Sequence, residues 1–229
     1  MPRTAPGWPL KPWSLRERSA AGELMQPLIV IPCKSFAAGK SRLSTVLSPE
    51  RRDRLCRGFL INTVRLAADL VAKGHIHVVS SDSEVAALAC ELGVRCEGEA
   101  DIDLNSALTC SVASILEREP EKSSRDILIL PIDLARSSPT AITPVIAAQA
   151  DAVIVPDRLE QGTNLLRLRG DAALKFRFQY GDDSFSRHRT EAEGLGLKTE
   201  ILRDPSLCFD VDTPADYAAW MDDFADRHH

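Results

Sequence analysis

Three stretches of the chain concentrate side chains that can act on anions. The first reads Pro32-Cys33-Lys34-Ser35-Phe36-Ala37-Ala38-Gly39-Lys40-Ser41-Arg42-Leu43. Lys34, Lys40 and Arg42 can meet a triphosphate as two point charges and one planar fork; the competing reading is a solvated basic loop. Gly39-Lys40-Ser41 has the ending of a P-loop, but that motif needs glycine where Lys34 stands, so the backbone cannot wrap phosphate in that way. The second stretch, Leu130-Pro131-Ile132-Asp133-Leu134, places a carboxylate just past a fully apolar run. Inside a sheet that charge would be costly, so it must face a crevice or cap a helix. Ser138 with Pro139 already serves the next helix, which leaves Asp133 free to hold a metal or ligand. The third is Phe209-Asp210-Val211-Asp212-Thr213-Pro214-Ala215-Asp216. Thr213 is the natural cap before Pro214, and Asp216 supplies charge in the first turn. Asp210 and Asp212 then share a face of an extended segment. With Asp133 they could hold Mg²⁺, which takes one or two carboxylates plus substrate phosphates.

Weaker signals lie elsewhere. Asn105, in Leu104-Asn105-Ser106-Ala107-Leu108, suits a cap or a ligand contact equally. Gly162-Thr163-Asn164 and Gly181-Asp182-Asp183-Ser184-Phe185 read as turns whose free amides and hydroxyls could cradle an anion. His188 reads as a surface histidine, and His75 and His77 as structural.

These groups need a scaffold, and the pattern supplies one. Short β-branched or apolar runs at Leu28–Ile31, His77–Val79, Val94–Cys96, Ile127–Leu130, Ala152–Val155, Leu165–Leu168 and Thr199–Leu202 alternate with helical periodicity. Ser48 caps a helix that starts at Pro49 and is stopped by Gly74. Ser81 and Glu84 form a capping box for a helix closed by Gly93. Asn105 to Glu117 is a further helix, and Tyr217, Trp220 and Phe224 share one face of the last. This alternation predicts an α/β fold, one Rossmann-like domain with a mostly parallel mixed sheet flanked by helices. Ligands in such sheets bind beyond the carboxyl ends of the strands, where all three stretches fall.

Composition narrows the function. The 229 residues suit one domain at 25–229, preceded by a proline-rich segment, 1–24, that reads as a disordered tail or an upstream mis-start. With 28 Lys plus Arg against 33 Asp plus Glu, the net charge of −5 lacks the basic surplus of a nucleic-acid binder. No apolar run is long enough for a membrane helix, and no secretory signal is visible, so a cytoplasmic protein without membrane or nucleic-acid partners is expected. The six cysteines, Cys33, Cys56, Cys90, Cys96, Cys110 and Cys208, show no CxxC spacing and read as buried free thiols.

Taken in order, IPCKSFAAGKSRL, LSPERR, VVSSD, LNSAL, LPIDL, PDRLEQGTNLL, YGDDSFSRH and FDVDTPAD resemble the CofC/FbiD family of guanylyltransferases in coenzyme F420 biosynthesis. The resemblance runs from about residue 28 to 220. It implies a nucleotidyltransferase domain of the glycosyltransferase-A-like type, with GTP and a small phosphorylated acid as partners, and it admits a homodimer. The acid would be phosphoenolpyruvate, 2-phospho-L-lactate or 3-phospho-D-glycerate. It further implies Mg²⁺ on Asp133 and Asp212, with Asp210 as a second ligand or a partner of the ligands. Lys34 and Arg42, with Lys40 behind them, would bind the triphosphate. Ser81, Asp82 and Asn105 would lie near the nucleoside, and Thr163, Gly181 and Ser184 would hold the acid. The chain departs from the family pattern at Ile132, Ala135 and Arg136, in the loop Leu159-Glu160-Gln161, and in YGDDSF, all around the expected acid pocket. The rival readings are a molybdopterin guanylyl- or cytidylyltransferase-like enzyme, whose first loop is typically glycine-rich, and a GTP-binding regulator without turnover, which would be expected to lack a metal carboxylate. A plain protein-interaction module would leave the strand-end charges unexplained.

Overall fold

The computed structural model describes residues 26–98, 103–118 and 125–226; the proposed tail at 1–24 and the side chain of Phe224 lie outside the described part. One seven-stranded sheet runs in the order β3-β2-β1-β4-β6-β5-β7. Its strands are β1 (Leu28–Pro32), β2 (Ile76–Val79), β3 (Arg95–Glu97), β4 (Ile127–Ile129), β5 (Ala152–Pro156), β6 (Thr163–Leu168) and β7 (Thr199–Ile201). β6 is antiparallel to β4 and β5, and the remaining pairs are parallel. This is the expected mixed sheet. The helices are α1 (Pro49–Leu70), α2 (Ser83–Glu91), α3 (Leu104–Arg118), α4 (Pro139–Ala147), α5 (Ala172–Lys175), α6 (Ser184–Gly194) and α7 (Pro214–Asp226).

The strands β1, β4 and β5 are apolar throughout because both faces are covered. In β1, Ile29 and Ile31 pack with Leu60 and Val64 of α1 and Ile142 and Val145 of α4. Leu28 and Val30 point the other way, toward Leu108 and Val112 of α3 and Phe185 of α6. That is the period-two alternation of a strand, and each such fully buried side chain contributes about 2 kcal/mol. A third cluster of Leu43, Leu47, Phe59, Phe209 and Val211, with Tyr217 and Trp220 of α7 packed against it, underlies the basic loop and the acidic segment.

The helix ends correct several expectations. Ser48 caps α1 through the Arg51 N–H and Ser138 caps α4 through the Ala141 N–H, as read from sequence. Asp82, not Ser81, caps α2, accepting from the Glu84 and Val85 amides. Its carboxylate reaches two amides that a Ser81 cap would have left to one hydroxyl. Asp103 does the same for α3, accepting from Asn105 and Ser106. Gly93 closes α2 at a φ of +75° that a side chain would strain. α1 ends at Leu70, before Gly74. All six cysteines are free, yet Cys90 and Cys110 are exposed and Cys96 is half-buried; only Cys33, Cys56 and Cys208 fit the buried reading. Cys90 and Cys110 stand on α2 and α3, whose outer faces meet water. Among the described residues no helix is long and apolar enough to cross a membrane.

Candidate active site

The loops after β1 and β4, the hairpin between β5 and β6, the start of α6 and the segment before α7 converge on one cleft of about 690 Å³. Lys34, Lys40, Arg42, Asp133, Asp210 and Asp212 line it, and so do Thr163, Gly181 and Ser184, with Asp157, Asp182 and Asp183 among them. Sequence-distant groups are thus brought together at the carboxyl ends of the parallel strands.

Lys40 is the hub of a charged cluster. Its Nζ donates to Asp133 Oδ2 at 2.5 Å and to Asp212 Oδ1 at 3.2 Å, while Arg42 Nη1 meets Asp212 Oδ2 at 2.5 Å. The reading that set Lys40 behind the other cations needs adjusting, since its ammonium stands between the two carboxylates. Burial works against that charge, but Asp133 and Asp212 outweigh it and hold the lysine above its ordinary pKa. A φ of +52° at Lys40 turns the loop into the short 3₁₀ turn Ser41–Thr45, whose Leu43 is buried beneath. Lys34 is exposed on the rim.

The acidic segment is fixed by its backbone. The Val211 N–H donates to the Asp133 carbonyl at 3.1 Å, which sets Asp212 beside Asp133. Asp216 accepts from the Thr213 amide at 2.8 Å and hydroxyl at 2.7 Å, and its own N–H returns to the Thr213 hydroxyl, as the capping expectation required. Phe209, fully buried, has the Arg136 guanidinium 3.7 Å from its ring centre and that of Arg158 at 4.8 Å. Arg136 also donates to Asp223 at 2.6 Å, and Arg158 pairs with Asp216. Arg136 therefore braces the acidic segment from behind. Neither arginine was singled out for this role from sequence, because their partners lie 51 to 87 residues away.

Burial and the charges of Asp133 and Asp212 push the Asp210 carboxyl up to about 6. Among the described residues no three acidic, histidine or cysteine side chains converge as a metal cage. Asp133 and Asp212, with Asp210 nearby, are the carboxylates that would face a cation there, and the first two already bracket the Lys40 ammonium. Two hard carboxylates with room for phosphate oxygens suit Mg²⁺.

Thr163 opens β6 and is not in a turn. Its N–H donates to Ser184 Oγ at 2.9 Å, and its hydroxyl lies 2.9 Å from His188 Nδ1. His188 is fully buried, not a surface residue. It sits one turn after Ser184 on the inner face of α6, which the polar spelling of that helix hid. Asp157 organises the hairpin, accepting from the amides of Leu159, Gln161 and Gly162. Gly181 has a φ of +121°. Ser81, Asp82 and Asn105 do not line the cleft. Asp82 is committed to its cap, and the Asn105 amide pairs both ways with the Tyr180 backbone, at 2.7 and 3.0 Å, setting the approach to Gly181. His77, inside β2, bonds Glu97 at 3.2 Å and is structural as read.

A parallel sheet with charged loops at its carboxyl ends, interrupted by one antiparallel strand, is a nucleotidyltransferase fold. It superposes on a nucleotidyl transferase from Methanothermobacter thermautotrophicus with a TM-score of 0.58 over 87% of this chain and 99% of that one; at 15% identity this speaks for the fold alone. The family model described as "Guanylyl transferase CofC like" matches residues 27–226, and the chain belongs to that family. It is 36% identical over 195 residues to the phosphoenolpyruvate guanylyltransferase of Chloroflexus aggregans, covering 80% of this chain and 91% of that one. It is 33% identical to the 2-phospho-L-lactate guanylyltransferase of Methanothermobacter thermautotrophicus, covering 84% and 82%. With the 3-phospho-D-glycerate guanylyltransferase of Phenylobacterium zucineum the identity is 29%, over 82% and 86%. The chain is accordingly a guanylyltransferase.

Proposed function

We propose that the enzyme transfers a guanylyl group from GTP to the phosphate of a small phosphorylated acid, releasing pyrophosphate, as a step of coenzyme F420 assembly. The candidate acceptors are phosphoenolpyruvate, 2-phospho-L-lactate and 3-phospho-D-glycerate. The observation that carries this reading is the make-up of the cleft. The cations Lys34, Lys40 and Arg42 line the same space as the Thr163 and Ser184 hydroxyls and the positive-φ turn at Gly181, so charges for a triphosphate and donors for a small anion share one cleft.

Lys34 and Arg42 take the triphosphate, Lys34 as an exposed point charge and Arg42 as a fork held in place by Asp212. Asp133 and Asp212 would hold Mg²⁺, whose contribution would be to neutralise charge on the phosphate oxygens. Thr163, Ser184 and the Gly181 turn orient the acid, so that its phosphate oxygen faces the α-phosphorus. The new P–O bond forms as the bond to the bridging oxygen breaks, and pyrophosphate leaves with the electron pair. A phosphate nucleophile is already ionised near neutral pH, so no side chain need remove a proton. The chain's work is positioning and electrostatic stabilisation.

The test is pyrophosphate release from GTP and Mg²⁺ with each acid in a separate well. The expected result is release with at least one acid and none without. GTP binding with no release for any of the three acids would overturn the assignment.

A further inference from the structure

α6 clamps Thr163 twice. Ser184 Oγ accepts the Thr163 backbone N–H, and one turn later His188 Nδ1 lies 2.9 Å from the Thr163 hydroxyl. The other ring nitrogen fixes the direction of this second bond. The Gln179 backbone N–H points at His188 Nε2 at 2.9 Å, and a backbone amide can only donate. Nε2 must therefore be unprotonated, and in the neutral ring the proton sits on Nδ1 and is donated to Thr163 Oγ1. The imidazole is fully buried, packed against Tyr180 with ring centres 4.8 Å apart and against Phe176 at 5.6 Å. Desolvation favours that neutral form, with the ring's pKa pulled down to about 4.

We propose that His188 is a positioning residue that sets the polarity of the acceptor recess, forcing the Thr163 hydroxyl to donate into the cleft. With its lone pair engaged by Nδ1–H, the Thr163 hydroxyl has its proton left for the cleft that it lines. Ser184, whose oxygen accepts the Thr163 amide, likewise keeps its proton for the cleft. The two hydroxyls of Thr163 and Ser184 then both present donors, which suits a carboxylate or phosphate at that point of the cleft and penalises a ligand group that must itself donate to them. The inference rests on the reading of this recess as the acid's binding site.

The experiment compares the enzyme with His188→Phe, His188→Gln and His188→Asn. Phe keeps the ring and removes both polar atoms. Gln reaches toward the Gln179 amide without a donor for Thr163. Asn can place an amide N–H where Nδ1–H stood. KM for the acid should rise about tenfold in the Phe and Gln variants, with KM for GTP within about twofold of the parent. His188→Asn should recover most of the loss. Equal rises in both KM values, or none, would overturn the proposal. A second readout is independent of turnover. In long-range ¹H–¹⁵N spectra at neutral pH, the His188 signal, assigned by its disappearance in His188→Gln, should show the neutral Nδ1–H tautomer. An Nε2–H or doubly protonated ring refutes the relay even if the parent enzyme is active. If the parent turns over none of the three acids, the functional reading fails, while the tautomer still decides the hydrogen-bond direction.

Discussion

Asp133 and His188 show how differently two buried-end residues announce themselves. Asp133 was legible because a carboxylate after four apolar residues has few places to go. Its partners were not, since Lys40 lies 93 residues away and only the fold sets them 2.5 Å apart. Asp133→Ala should lower turnover about 100-fold or more while the cooperative unfolding transition is retained, since Asp212 still balances Lys40. Parallel assays of pyrophosphate release and thermal unfolding check this. Near-parental activity would remove Asp133 from the site. His188 was misread because Ser-Phe-Ser-Arg-His-Arg-Thr-Glu reads as a solvated helix until the apolar face of the sheet above it is known. Its stability signature follows from linkage. The unfolded ring takes up a proton near its ordinary 6.5, whereas the folded ring does so only near 4. The unfolded state therefore binds more protons between these values. The His188 contribution is complete above about pH 6.5 and falls by about 3 kcal/mol as pH drops toward 4. Denaturant midpoints of the parent should thus decline more steeply than those of His188→Asn over that window, and parallel profiles would contradict the assignment.

At the scale of elements, β1, β4 and β5 declared themselves through unbroken apolar runs and helices through caps such as Ser48 and Ser138. Strand direction did not. Leu165-Leu166-Arg167-Leu168 is as apolar as a parallel strand, and nothing in its spelling reveals that β6 runs against both neighbours. The bracing of the acidic segment was equally hidden, because a guanidinium on a phenyl ring has no local sequence signature. The contacts of Arg136 with Phe209 and Asp223 predict that Arg136→Ala costs about 1 kcal/mol of stability. It should also lower turnover about tenfold by loosening the seat of Asp212. Urea unfolding and steady-state kinetics on the same preparation measure both effects. A variant with intact kinetics would show that Phe209 suffices alone.

For the whole molecule the least expected residue is Arg167, fully buried in the middle of the sheet. Its Nη1 donates to the Ala150 carbonyl at 2.8 Å and its Nε to that of Val145 at 3.3 Å; Ala148 accepts from Nη2, and Asp126 lies 3.3 Å away. One side chain thus satisfies the carbonyls at the end of α4 and ties that helix to the sheet. Composition could flag the arginine as out of place but not name three carbonyls as its reason. Arg167→Leu should cost about 3 kcal/mol, because the carbonyls stay buried without donors. Calorimetry should register this as a lower midpoint for a transition that remains single.

The strand order divides the sheet into two consecutive lengths of chain. β1 to β4 form an unbroken parallel half, β5 to β7 a mixed one, and the single β4–β6 ladder is the seam between them. The charged loop and Asp133 belong to the first half, Thr163 and Ser184 to the second, and the Val211-to-Asp133 bond carries the chain back across. On the proposed reading, Lys34, Arg42 and Asp133 for the nucleotide and Thr163 and Ser184 for the acid therefore come from separate stretches of coding sequence, with Asp212 added by the returning chain. Substitutions in 152–201 would then alter the acid's surroundings without touching the loop that holds Lys34 and Arg42.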